Sequence, residues 1–483
     1  MNYSQSLSYL NSFYDLEKTM HLPVSRRWKL ERMRRLLALF GHPEKSFLPV
    51  VIVGTKGKGS TGFFLQSILK EAGVSVGFYS SPHLETPRER IRLHGRLISK
   101  SLWARLLTHI RSVIASPRFS AGAAISGSEI VRQQTGVIRP DGFDRSFWRT
   151  SSSAKKQQTP RNDETAYTYF EIMTLMAALA FKDQGVKIGV FEAGMGGRLD
   201  AVNTLAAPFV IVTPVHLDHE AFLGNTLIKI AGEKAAVIHQ GAEVVTAPQK
   251  PEVRRLLRTR ARKMRASLWP VTRKTRLKTG LRGEHQRWNA AAAVKMVERL
   301  CGGMALGHRM QHAIRKGLAA SDWPGRFESF PGRPSVILDG AHNPAAMETL
   351  VKTLGARPLR ALRGQQGPGP SSRVVIFGVA QDKDSQKMLK TLAGFFDVMV
   401  LAPLPTARMR SLPELLKTAQ PFFKILIPAK NVSEALTLAR AAAGAQGTIL
   451  VTGSFYLIGE IRKFLTHSSR RGNSRHRSVG GQA

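Results

Sequence analysis

Val50-Val51-Ile52-Val53-Gly54-Thr55-Lys56-Gly57-Lys58-Gly59-Ser60-Thr61 decides the fold. Its first four residues are an unbroken apolar run, as expected of a strand buried on both faces. Phe63-Phe64-Leu65-Gln66-Ser67-Ile68-Leu69-Lys70 follows with helical spacing. A strand, a glycine-rich turn and a helix start are thus predicted in succession. Glycines let the backbone curl so that its N–H groups face a phosphate, and the helix N-terminus adds a favourable dipole. Lys58 supplies a point charge, and Ser60 or Thr61 a hydroxyl near a metal. The spacing departs from G-x-x-x-x-G-K-[ST]: Gly59 separates Lys58 from Ser60, and Ile52 stands where the first glycine would be. The bland alternative is a glycine turn carrying a surface lysine.

Outward from this stretch, strands alternate with helices. Residues 1–49 read as mainly helical, with Leu30, Met33, Leu36, Leu37 and Phe40 at helical spacing. Val74 to Tyr79 reads as a strand, 101–115 as a helix and Tyr167 to Phe181 as another. Strands at 186–191 and 209–213 end near Glu192 and near Asp218-His219. Further strands are expected at 336–338, 374–377, 398–401 and 448–451. This alternation predicts an α/β fold with a mostly parallel sheet covered on both faces. A second, smaller Rossmann-like α/β domain is expected to follow. Trp323-Pro324-Gly325 is a plausible hinge, giving domains 1–322 and 323–466. Residues 116–165 and 361–372 lack periodicity and read as an irregular insertion and a surface loop.

With 483 residues, the chain can bury two or three cores. No apolar run approaches the roughly 20 residues of a membrane span, and the N-terminus lacks the pattern of a signal peptide. Cys301 is the single cysteine, which excludes an intrachain disulfide and suits a reducing cytoplasm. Charge is the anomaly: 72 Lys+Arg against 33 Asp+Glu give +39. Between Lys250 and Arg282 stand 13 basic residues and one acid, Glu252. The tail 467–483 is Ser-, Gly- and Arg-rich and reads as disordered. Such a field attracts anions of any kind. No helix-turn-helix, RNA-recognition motif or zinc finger accompanies it, so no specific nucleic-acid partner is expected.

Ligands of open parallel sheets bind beyond the carboxyl ends of the strands, where the polar residues gather. Glu192 suits a hard cation such as Mg²⁺; the alternative is a salt bridge with Arg198. His219 reads as a ligand, a phosphate donor or a buried, hydrogen-bonded histidine. Lys234 lies on an amphipathic helix, where a lysine is usually solvated. Asp339-Gly340-Ala341-His342-Asn343-Pro344 either faces a cleft or forms an Asx turn.

Taken together, these motifs resemble the folylpolyglutamate synthase/dihydrofolate synthase family of the Mur-ligase superfamily. The resemblance runs from about Leu7 to Leu465 and follows the family's order. It rests on Gly54 to Ser60, Ser81-Pro82-His83-Leu84, Arg88-Glu89-Arg90-Ile91-Arg92, Thr168-Tyr169-Phe170-Glu171 and Glu192 to Asp200. Asp218-His219, Glu233-Lys234, His285-Gln286 with Asn289, Gly325-Arg326-Phe327-Glu328 and Asp339 to Pro344 complete it. The resemblance implies that Gly57, Lys58, Gly59 and Ser60 cradle ATP, and that Asn289, Arg326, Asp339 and His342 contact it. It implies Mg²⁺ on Ser81, Glu192 and His219, and a second metal site that uses a carbamylated Lys234. Lys58, Lys234, His219 and Arg326 would serve catalysis. Thr168, Tyr169, Phe170, Glu171, Leu199, Asp200 and Ala201 would line the pteroate or folate site. The implied reaction is ATP-dependent addition of L-glutamate to dihydropteroate or a reduced folate through an acyl phosphate, in a cytoplasmic monomer. Another Mur-type amino-acid ligase is the alternative, and a nucleic-acid-binding protein a distant third. Three features depart from the family's pattern: Lys56 replaces its usual asparagine, 116–165 is long, and the stretch between Lys234 and Asn289 is short and basic.

Overall fold

The computed structural model describes residues 1–15, 30–115, 167–304, 306–355, 373–403 and 409–475. The expected insertion at 116–165 and the loop at 361–372 lie outside them.

Among the described residues, the chain builds two sheets in sequence. The first contains β1 (Leu48–Val53), β2 (Val76–Tyr79), β3 (Ile91–Leu93), β4 (Arg96–Leu97), β5 (Ile188–Glu192), β6 (Phe209–Val212), β7 (Glu243–Thr246) and β8 (Ser267–Pro270). Its order is β4-β3-β2-β5-β1-β6-β7-β8. β2 to β8 across the sheet are parallel, and β3 and β4 add an antiparallel edge. β1 is central, and Pro49 to Val53 are buried, as the apolar run demands. One core packs against each face: Leu36, Trp103, Met173 and Phe181 on one side, Phe64, Ile68, Ala293 and Leu318 on the other.

The second sheet contains β9 (Glu328–Phe330), β10 (Ser335–Leu338), β11 (Arg373–Phe377), β12 (Val398–Leu401), β13 (Ile425–Pro428) and β14 (Thr448–Thr452). Its order is β13-β12-β11-β14-β10-β9, parallel except for β9. Helices again cover both faces, each over its own core. Between the sheets, Trp323 packs its indole on Phe63 at 4.6 Å and Phe78 at 5.4 Å, anchoring the connection in the first core.

One expectation needs correction. The final helix, Phe455–Arg475, continues into the stretch read as disordered. No proline interrupts 455–475, and arginine is a good helix former, so the helix can continue past Leu465. Residues 476–483 lie outside the described ones.

Candidate active site

Register brings the first chemical groups together. β1 and β5 pair with Ile52 beside Glu192, and β1 and β6 pair with Val53 beside Val212. The glycine turn after β1 and the carboxylate ending β5 therefore emerge side by side. Gly57 caps the helix Lys58–Glu71 at φ 82°, and a Cβ there would lie 2.4 Å from Asn289 Oδ1. A side chain is excluded both by conformation and by space. Asn289 donates to Gln286 Oε1 at 2.9 Å, and Gln286 donates to Ser60 Oγ at 3.4 Å, so the helix Glu284–Leu300 braces the turn. Lys58 curls back to donate to the Gly54 carbonyl at 3.3 Å.

Ser81, just beyond β2, donates its backbone N–H to Glu192 Oε2 at 3.3 Å. Burial raises the Glu192 carboxyl, against the opposing charges of Lys58 and Arg326. Arg198 is paired with Glu233 at 2.9 Å, so it is not the structural partner considered for Glu192. His219 follows β6 in a left-handed conformation, φ 53°. Burial lowers its imidazole to about 4, leaving it neutral and able to ligate a metal. Among the described residues, no three His, Cys, Asp or Glu side chains cluster as a metal site. The implied set contains only two of those types, Glu192 and His219, with a serine hydroxyl. It fits a hard cation that fills its remaining positions with phosphate oxygens and water. A Cβ at Gly59 would lie 3.2 Å from Glu192 Oε2, so glycine keeps the space beside that carboxylate open.

The second sheet supplies the opposite wall. Arg326 is half-buried, its guanidinium 4.7 Å from the Phe455 ring centroid, and its buried Nε has no hydrogen-bond partner. An orphaned buried donor aimed into a cleft is costly unless a ligand satisfies it. Asp339 accepts from the N–H groups of Phe327 at 3.0 Å and Ala341 at 2.9 Å. The bond from Ala341 is that of an Asx-type turn, and the turn also faces the cleft. His342 is held by the Gly340 carbonyl at 2.8 Å and is lowered by burial to about 4.

The glycine turn from Gly57 to Ser60, Ser81, Glu192, His219, Asn289, Arg326, Asp339 and His342 border one cavity of about 360 Å³, together with Thr168, Tyr169, Phe170, Glu171, Leu199, Asp200 and Ala201. Within that last group, two carboxylates are engaged in the fold. Glu171 accepts from Arg32 Nε at 2.9 and 3.1 Å and closes the capping box of the helix Tyr169–Asp183 with Thr168. Asp200 accepts from Met195 and Val202 N–H, and burial raises it to about 6. The aromatic and aliphatic members supply flat apolar walls. Lys234 is not on the cavity wall. It lies behind Gly197, 5% exposed, rather than solvated as a surface lysine would be. Burial, with Lys58 second, lowers its ammonium to about 7.

Sequence reasoning missed Lys383 and Phe455. Lys383 donates to Asp218 Oδ1 at 3.0 Å, and Asn343 donates to Asp218 Oδ2 at 3.2 Å, so Asp218 is clasped by two residues of the second sheet's half. Burial alone would push the Asp218 carboxyl up, but His219, Lys383 and His342 hold it well below the usual carboxylate range. Lys383 sits in an Asp-Lys-Asp run that reads as solvated surface, and nothing in the sequence marks it. Phe455, just after the glycine that ends β14, carried only the signal of a strand end.

A glycine turn, a strand-end carboxylate and a second α/β unit closing over both define a nucleotide-dependent ligase of the Mur type. Residues 325–455 match the family model of the Mur ligase glutamate ligase domain. The dihydrofolate synthase/folylpolyglutamate synthase of Bacillus subtilis is 30% identical over 465 residues, covering 90% of this chain and 94% of that protein. Escherichia coli FolC, solved with DHPP and ADP, superposes with a TM-score of 0.73 at 26% identity, over 98% of this chain and 99% of that one. A bifunctional synthase solved with Mn, AMPPNP and L-glutamate gives 0.73 at 25% identity, over 96% and 98%. The chain belongs to the dihydrofolate synthase/folylpolyglutamate synthase family of ATP-dependent ligases.

Proposed function

We propose that the protein joins L-glutamate to the carboxylate of dihydropteroate, of a reduced folate or of both. The observation that carries this reading is the convergence of the glycine turn, Ser81, Glu192 and His219 with Arg326, Asp339 and His342 on one cavity. Gly57 to Ser60 hold the ATP phosphates, and Lys58, released from the Gly54 carbonyl, turns onto them. Asn289, Arg326, Asp339 and His342 hold the rest of the nucleotide. An oxygen of the acid substrate attacks the γ-phosphorus, the bond to the bridging oxygen breaks, and ADP leaves. The glutamate amine then attacks the acyl carbon, phosphate departs and the amine loses a proton. Such transfers need positioning and neutralised charge above all. Arg326 and Lys58 supply positive charge from opposite walls. Mg²⁺ on Ser81, Glu192 and His219 would add further charge neutralisation at the phosphates.

Tyr169, Phe170 and Leu199 flank the flat acid substrate; Thr168, Glu171, Asp200 and Ala201 shape that wall. Lys234, as a buried amine near neutrality, is suited to react with CO₂ and lend a carboxylate to a second metal. Trp323 to Gly325 form the hinge, dividing the chain at about 322; its anchored indole supports this. Closure excludes water from the acyl phosphate. We place the enzyme in the cytoplasm as a monomer. Its single half-buried thiol suits a reducing compartment, and no helix among the described residues is long and apolar enough to cross a membrane.

The test supplies ATP, Mg²⁺ and L-glutamate with dihydropteroate in one tube and tetrahydrofolate in another, and follows ADP release and product mass. Product in either tube supports the reading and assigns the branch. ADP release and product in neither would overturn it.

A further inference from the structure

The ligase chemistry leaves the charge of +39 unexplained, and the structure gives much of that charge a place. Helix Pro251–Lys263 buries Val253, Leu257 and Ala261. It turns Arg254, Arg255, Arg258, Arg262 and Lys263 to solvent. Beyond the edge strand β8, where Val271, Leu277 and Leu281 pack into the core on the other side of the sheet, Arg273, Arg276 and Lys278 are exposed as well. The helix itself carries one acid, half-buried Glu252; exposed Glu284, further along the chain, is already paired with Lys274. Some exposed basic residues elsewhere have partners, such as Arg35 with Glu31, Arg105 with Asp183 and Lys316 with Glu71. Among the described residues, Arg254, Arg258 and Arg262 make no ion pair. The face lies past β7 and β8, at the edge of the sheet away from its antiparallel strands.

We propose that this face binds the phosphate backbone of double-stranded DNA, without regard to base sequence. Arg254, Arg258 and Arg262 follow each other at one-turn intervals of about 6 Å, so three guanidiniums span about 12 Å. Duplex DNA presents one charge per about 1.7 Å of axis, and its major groove, about 12 Å wide, admits a helix. Duplex RNA offers only a deep, narrow major groove. A single strand would need exposed aromatic platforms. The helix carries no aromatic residue, and nearby Trp269 packs with the core on the other side of the sheet, covered by Arg299 at 3.9 Å and donating to Glu243. A membrane-binding helix would expose apolar residues, whereas those of this helix are turned into the core.

Fluorescence anisotropy of a labelled mixed-sequence DNA duplex, titrated with the full-length protein, tests this. With about five phosphates engaged, the log–log salt slope is about −4.5, and affinity falls about 500-fold between 50 and 200 mM salt. The triple variant Arg254→Gln, Arg258→Gln, Arg262→Gln keeps good helix formers, so ligase turnover and circular dichroism should not change. Its slope should shrink to about −2. An unchanged slope in the triple variant overturns the proposal. So does duplex RNA, single-stranded DNA or a phosphatidylserine-containing vesicle bound as tightly as duplex DNA.

Discussion

Replacing Lys383 by methionine should slow the ligase while leaving each half of the molecule folded. Lys383 and Asp218 are 3.0 Å apart, with side chains 8% and 11% exposed, and they belong to different halves. Methionine keeps most of the stem and removes the charge, leaving Asp218 with Asn343 and the His219 N–H. Losing one partner of a buried pair costs about 3–5 kcal/mol. Opening the cleft hydrates Asp218, so the cost falls on closure rather than on unfolding. At the lower figure of about 3 kcal/mol, kcat/KM drops about 160-fold, while the denaturation midpoint moves little. ADP release under steady state measures the first and urea titration the second. Asp218→Asn, singly and combined with Lys383→Met, completes a cycle. Because the double variant leaves no lone buried charge, it should lose less than Lys383→Met alone. The reasoning fails if Lys383→Met stays within about threefold of the parent, or if the double variant shows the product of the two single losses.

Lys58→Ala and Glu192→Gln should each cut turnover by about 10³ or more with an unchanged melting curve, and near-normal activity in either would remove it from the mechanism. Gly57→Ala, forced to φ 82° against Asn289 Oδ1, should cost about 1–3 kcal/mol of nucleotide binding, read by ADP titration calorimetry. Burial lowers the Lys56 ammonium to about 8, below its ordinary value of 10.5, so it sheds charge as pH rises through 8. The KM for ATP should therefore climb above pH 8 in the parent, and Lys56→Met should flatten that rise; an equal rise in the variant would show that Lys56 is not its source.

The central strands were legible because strands buried on both faces are written as continuous apolar runs. β1, β5, β6, β11, β12 and β14 all follow that rule, and the site groups after β1, β5 and β6 could be located from them. β7 and β8 were hidden by their setting. Glu243-Val244-Val245-Thr246 is short, and Ser267-Leu268-Trp269-Pro270 is an edge strand bracketed by basic residues. Motif order pointed to Arg326 and Asp339, but not to the stacking of Arg326 on Phe455 or the reach of Lys383 to Asp218. Those contacts depend on how two separately cored units meet, and no local periodicity encodes that. Glu171 shows the converse: the motif was visible, but its carboxylate is engaged by Arg32, 139 residues earlier in the chain.

The glycine turn, Ser81, Glu192 and His219 all issue from neighbouring strands of one sheet, whereas Arg326, Asp339 and His342 ride with the other unit. Swinging the halves apart leaves the first group's mutual distances intact and removes the second group altogether. On the proposed function, the open protein would then already be a receptor for the triphosphate, with its phosphate-bearing end exposed to water. Acid and amine can enter afterwards, past a nucleotide that cannot yet react. On that reading, substrate order and protection against wasteful hydrolysis would both follow from which strands carry which residues.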